Sequence, residues 1–264
     1  MPSWCTNMEL EPPERIRINN RKEMRNNPFT YLLVLVVSLT LMACNQSGKE
    51  TKETDNTEVQ ARGQEESSAD HDHHAAVALS TEETTIWTPS GEGRELISRD
   101  FHFIAGNADQ ISPEVLSEDG ADLLRLTTKD AKQAAFVFHN SMGNVGIAVT
   151  LKRSNFEGNL KIIHHAQDGN TYEFVSINGN DMSLGRYVGG EEDVFDRNKF
   201  DTDQNGWMTI RVSAAGTHFK GYLGDKNITH GHGDELESGY VGIMLEGTGS
   251  VSIKSIEVTP LEAE

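Results

Sequence analysis

Three polar groupings carry most of the chemistry that this 264-residue sequence could perform. Asp70-His71-Asp72-His73-His74 crowds imidazoles and carboxylates together, a donor mix suited to Zn²⁺, Cu²⁺ or Ni²⁺, with His71, His73 and His74 as ligands. Nothing rigid surrounds them, so the plainer reading is a polar patch without fixed geometry. His230 and His232 are two apart, so on an extended segment both rings face one way, towards a metal or a sugar hydroxyl. The neighbouring Gly231, Gly233, Asp234 and Glu235 favour a loop instead. Asp201-Thr202-Asp203-Gln204-Asn205-Gly206 matches the first half of a calcium loop, with Asp201, Asp203 and Asn205 supplying alternating oxygens. Its twelfth position is Val212 and a strand follows, so it is not an EF-hand. A polar turn is the expected outcome, and calcium is the cofactor the alternative would bring.

Acid–base or sugar chemistry would draw on other residues. Glu173 is the one acid within an expected strand, and Glu246 closes another. Carboxylates are mostly solvated, which places both at the surface. His164 and His165 are adjacent, so on one strand they face opposite ways and at most one enters a given site. Tyr172, Tyr187, Tyr222 and Trp207 could stack on a pyranose ring. The ligand-contacting set expected from these is Glu173, His164, Tyr172, Tyr187 and Tyr222. Glu191-Glu192-Asp193 follows two glycines and reads as a loop.

The elements that must position these residues are strands. From about Trp87 the sequence alternates in short runs between turn signals. Leu123–Thr127, Ala135–Phe138, Ile147–Leu151, Leu160–His165 and Tyr172–Ile177 are such runs. Asp168-Gly169-Asn170 and Asn178-Gly179 mark hairpin turns. Met208, Ile210 and Val212 share one face, as do Val241, Ile243 and Leu245, and then Val251 and Ile253. Ile256 and Val258 fall on the opposite parity, which predicts a bulge near Lys254-Ser255. No helix-period segment of useful length occurs. About a dozen strands in roughly 170 residues is jelly-roll rather than immunoglobulin size.

The closing segment resembles the concanavalin A-like (laminin-G-like) jelly rolls, especially bacterial domains grouped with 3-keto-disaccharide hydrolases. It carries Gly206-Trp207 to Val212, Gly216, Phe219 to Leu223, Gly239-Tyr240-Val241-Gly242-Ile243, and Val251 to Val258. The resemblance implies an all-β sandwich of two antiparallel sheets over residues 86–264, with Trp207 in the core. Laminarinase-type relatives carry Glu-x-Asp-x-x-Glu on one strand, and that string is absent here.

Ahead of the domain, Tyr31–Leu41 is apolar but too short to span a bilayer, and it suits a signal-peptide core behind Arg21, Lys22 and Arg25. Leu41-Met42-Ala43-Cys44 resembles the lipobox of bacterial lipoproteins, which implies cleavage before Cys44 and acylation of its thiol; two or more chains anchor stably where one does not. Residues 1–43 are thus a signal peptide, with Met24 an alternative start, and residues 44–85 an acidic tether too poor in apolar residues to fold. Cys44 is the only cysteine of the mature chain, so the fold has no disulfide.

The net charge of −18, from 41 acidic against 23 basic residues, excludes a nucleic-acid partner. The expected function is a lipid-anchored, extracytoplasmic envelope protein whose jelly roll binds a glycan or another ligand without catalysis. A glycoside hydrolase resembling the 3-keto-disaccharide enzymes is the alternative, and a metal-binding lipoprotein the third.

Overall fold

The computed structural model describes residues 75–130, 132–201, 206–235 and 237–262. Cys44, His71, His73, His74, Asp203 and Asn205 lie outside them, as do the expected signal peptide and most of the tether.

Thirteen strands and two short helices follow in order: β1 (Thr85–Trp87), α1 (Gly93–Asp100), β2 (Phe101–Ala105), α2 (Ala108–Ile111), β3 (Glu114–Glu118), β4 (Ala121–Thr128), β5 (Ala134–Phe138), β6 (Val145–Asp168), β7 (Thr171–Asn178), β8 (Asp181–Val188), β9 (Glu191–Lys199), β10 (Trp207–Ala215), β11 (His218–Leu223), β12 (Lys226–His232) and β13 (Tyr240–Pro260). The runs expected as separate strands around 147–151 and 160–165 are one continuous strand, β6, and those around 241–245 and 251–258 are one strand, β13. Each passes from one sheet of the sandwich to the other. The second half of β6 and the first of β13 pair with each other and with β7 and β5. Their other halves pair with each other and with β10 and β4. The first sheet therefore runs β2-β5-β13-β6-β7-β8-β9, and the second β12-β11-β10-β6-β13-β4-β3, with β1 on the end of β13.

Glycine makes the crossing. Gly158 and Gly249 have φ of +133° and +113°, and a Cβ on either would come within 2.3 Å of the Glu246 carbonyl oxygen or 2.1 Å of that of Asn155. A side chain there collides with the partner backbone in a conformation L-residues rarely adopt. The bulge expected near Lys254-Ser255 is present, as a register shift between Ile253 and Ser255.

Inward residues of both sheets fill one core, including Leu124, Phe136, Val149, Ile162, Val175, Ile210 and Ile253. Burying each such side chain contributes about 1.5–3 kcal/mol. Trp87, Phe101 and Phe138 close one end, with Trp87 edge-on to Phe101 at 5.2 Å. Asp100 there is fully buried and accepts from Arg99 Nε and Nη2 (2.8 and 2.7 Å), the Trp87 indole (2.8 Å) and the Val77 amide. Burial alone would raise its pKa, but the bonds from Arg99, Trp87 and Val77 outweigh burial and hold it low.

Several expectations change. The domain begins before residue 86: Leu79 is buried and Val77 packs against the core, because the short apolar patch 75–79 has a hydrophobic surface to cover. The Asn140 side-chain amide clamps Leu79 by donating to its carbonyl (2.8 Å) and accepting from its N–H (2.9 Å). α1 and α2 appear where no helix was expected. α1 buries Leu96 and Ile97, and α2 carries a capping box between Asn107 and Gln110. Glu191-Glu192-Asp193 opens β9, and His230 and His232 lie on β12, since pairing with β8 and β11 supplies the backbone partners that local composition did not suggest. Trp207 is 40 % exposed rather than in the core, because its register on β10 turns it outward beneath the Lys152 ammonium (4.9 Å).

Candidate functional site

Strand parity builds a groove on the outer face of the first sheet. The β7–β8 hairpin turns at Gly179, which sets Asn178 opposite Asp181 and Ser176 opposite Ser183. Pairing with β6 and β9 extends that second row to Lys161 and Arg197. Four polar side chains, Lys161, Ser176, Ser183 and Arg197, thus line up across four strands on the face opposite Ile162, Val175 and Leu184. With Asn159, Asn178, Asp181 and Glu192 they enclose a groove of about 520 Å³.

Its charges are partly paired. Lys161 Nζ donates to Glu192 Oε2 (2.9 Å) and sits 4.4 Å from the Phe174 ring centre. Arg197 Nε donates to Ser183 Oγ (2.9 Å), and Asn178 donates to Asn159 Oδ1 (3.1 Å). Beyond Lys161, Tyr172 and Tyr187 stack at 5.2 Å, part of a small apolar cluster that holds Ile163, Phe174 and Met244. Burial, reinforced by the nearby charges, pushes the Tyr172 hydroxyl well above the usual tyrosine range, so it stays a neutral donor. Tyr187 keeps an edge at the surface.

Glu173 and His164 point the other way, into the sandwich. Their row is completed by Arg186 across the β7–β8 pair. Glu173, expected at the surface, is 1 % exposed, since its parity on β7 matches the core residues Val175 and Ile177. Its carboxylate accepts from Arg186 Nε (3.1 Å) and Nη2, and lies 3.1 Å from His165 Nδ1 and 3.4 Å from His164 Nδ1. Burial would raise the Glu173 pKa, but the His165 and Arg186 bonds outweigh it and hold it below the usual range. Arg186 also donates to the Asp234 carbonyl, roofing the cluster.

His164 and His165 were expected on opposite faces, yet their Nδ1 atoms are 2.8 Å apart. The reason is local. His165 takes a left-handed backbone (φ 48°) at a register shift in β6, which swings its ring round to the side of His164. Burial, followed by repulsion from His165, lowers the His164 pKa to about 3, so its ring is neutral; its Nε2 has no partner. These three residues have the donor types of a metal site, but Arg186 already supplies the cation that Glu173 needs. Only His165 reaches a surface cleft, of about 540 Å³, edged by Asn144, Glu235, Glu237 and Ser238.

The five expected ligand contacts are therefore dispersed. Tyr172 and Tyr187 border the groove, and Glu173 and His164 form the buried cluster. Tyr222 lies on the second sheet, where Arg211 stacks on it at 5.6 Å. His230 and His232 face outward together, joined by His218. Asp201 is exposed in the loop before β10. Lys161, Ser176, Ser183 and Arg197 escaped sequence reading, although a lysine within Leu160-Lys161-Ile162-Ile163 and serines at matched distances either side of Gly179-Asn180 were the available signal.

No family model and no curated protein matches the chain. Among solved structures, a protein of unknown function with a galectin-like fold from Bacillus subtilis is similar at 8% identity, over 67% of this chain and 100% of its own, with a TM-score of 0.51. A native glycosidic hydrolase is similar at 11% identity, over 71% of this chain and 100% of its own, with a TM-score of 0.51. A protein of unknown function from Shewanella oneidensis MR-1 matches at 13% identity, over 72% and 92%, with a TM-score of 0.50. At these identities the likeness is one of fold, and it makes the domain a concanavalin A-like jelly roll, the architecture that the closing segment implied.

Proposed function

We propose that this chain is a lipoprotein anchored at Cys44 outside the cytoplasm, whose jelly roll binds a carbohydrate in the first-sheet groove without turning it over. The observation that carries the binding reading is the row Lys161–Ser176–Ser183–Arg197 with Tyr187 at its margin. Hydroxyl-rich ligands are held by several precisely spaced hydrogen bonds beside an aromatic face, and this groove offers both.

Hydrolysis of a glycoside needs two carboxyls about 5–9.5 Å apart across one bond, one of them with a raised pKa. In the groove, Asp181 and Glu192 stand on rows six residues apart along β8, about 20 Å at a strand's rise per residue. Glu192 is engaged by Lys161. Glu173, the buried acid, is locked by Arg186 and held ionised, the wrong state for a general acid. These features favour binding over the hydrolase alternative.

The test is a glycan array alongside turnover assays on ordinary and 3-keto disaccharides. Binding without turnover is expected, and Arg197→Ala should weaken it about tenfold or more, the loss of one charged hydrogen bond of about 1.5–3 kcal/mol. Turnover of any of these disaccharides, or no glycan bound, overturns the reading. The anchor is tested by labelling cells with an alkynyl fatty acid. Cys44→Ser should abolish the label and release the protein from the membrane fraction.

A further inference from the structure

We propose that His218, His230 and His232 form a three-imidazole site for a zinc-class divalent cation on the outer face of the second sheet. The arrangement follows from the β11–β12 pairing. His218 stands directly opposite His232, and Lys220 opposite His230. Residues directly opposite share a face, and so do residues two apart on one strand, so all three rings meet in one patch. Ring centres are 4.5 Å apart for His218 and His232, 4.6 Å for His230 and His232, and 6.5 Å for His218 and His230. One ligating nitrogen from each lies within 4.8 Å of the others.

A tetrahedral zinc with bonds near 2.0–2.1 Å holds its nitrogens about 3.4 Å apart. Closing that gap needs only side-chain rotation, because His230 and His232 are exposed and His218 half-buried. The backbone is already held. His230 donates its main-chain N–H to Asp196 Oδ2 (2.9 Å), and Asn198 donates to the Ile228 carbonyl (2.9 Å), tying β12 to β9. Imidazole nitrogens suit Zn²⁺, Cu²⁺ and Ni²⁺, whereas Ca²⁺ and Mg²⁺ take oxygens, so the donor set selects the first group. Three protein ligands leave the fourth position open on the solvent side, for water or for a donor from a partner. Lys220 is the neighbouring cation on this face, and its long stem lets the ammonium turn away into water. The site is on the opposite sheet from the groove and does not depend on what the groove binds.

The experiment uses the mature full-length chain carrying His71→Ala, His73→Ala and His74→Ala, so that the tether histidines do not contribute. Calorimetric titration with zinc chloride should show one equivalent bound with Kd below about 100 µM, and cobalt should give the visible absorption of a tetrahedral site. Adding His218→Ala should weaken zinc binding at least tenfold. Adding His230→Ala with His232→Ala should abolish it, with thermal melts in metal-free buffer confirming that each variant folds. No binding below 100 µM, or an affinity unchanged by His218→Ala, overturns the site.

Discussion

Among the described residues, two three-residue clusters are built on histidine, and they differ in almost everything except how they are made. His164, His165 and Glu173 converge between the sheets, and His218, His230 and His232 converge outside them. Both arise from cross-strand pairing. In the inner cluster Glu173 holds Arg186, and burial keeps His164 neutral. Outside, the rings face water. Identical side chains thus become framework where solvent is excluded and an open donor set where it is not.

That contrast can be broken at several points, the largest first. Glu173→Ala should cost about 3 kcal/mol in urea denaturation, the lower end of the range of about 3–5 kcal/mol for orphaning a buried charge, since Arg186 keeps 15 % of its side chain exposed. A loss under 1 kcal/mol would mean that the inner cluster is not structural. The pH response should follow next. His164 has a folded pKa below its unfolded value of 6.5, so its neutral form stabilises the fold above that pH, and the stability drains away as pH falls towards about 3. The depressed carboxylates Glu173 and Asp100 add their losses only lower, below about pH 4.5. His164→Gln should therefore flatten the stability curve between pH 6.5 and 4.5, and an unchanged slope would reject the assignment. His165→Asn should cost about 1.5 kcal/mol for the lost bond to Glu173, yet remain about 1 kcal/mol more stable than His165→Ala, because asparagine tolerates the left-handed backbone. Smallest of all, His230→Ala should lie within about 0.5 kcal/mol of the parent in metal-free buffer. A larger loss there would erase the distinction between the clusters.

The sequence foretold the domain's grain better than its connections. Period-two alternation located most strands, the turns at Gly169 and Gly179 were marked by their own residues, and a parity switch announced the bulge at Lys254-Ser255. Such signals are local, because a pleat repeats every second residue. The inner cluster was hidden because it depends on one left-handed residue, His165, whose conformation no side-chain pattern encodes. The groove was hidden for a different reason: Lys161, Ser176, Ser183 and Arg197 align only once three strand registers are known together. Trp207 was misplaced for the same reason, since the pairing of β10 decides which face it joins.

The clamp between Asn140 and Leu79 acquires a mechanical meaning if the chain is held from its amino-terminal side. A pull entering there meets first the Val77 amide's bond to Asp100, next the paired amide bonds at Leu79, and then β1, laid antiparallel along the end of β13. Because β13 and β6 run through both sheets, load passed to β13 is shared across the whole sandwich instead of peeling one layer from the other. A load from that side would thus be spread over both sheets, with Asp100 and then Asn140 as the shackles it meets.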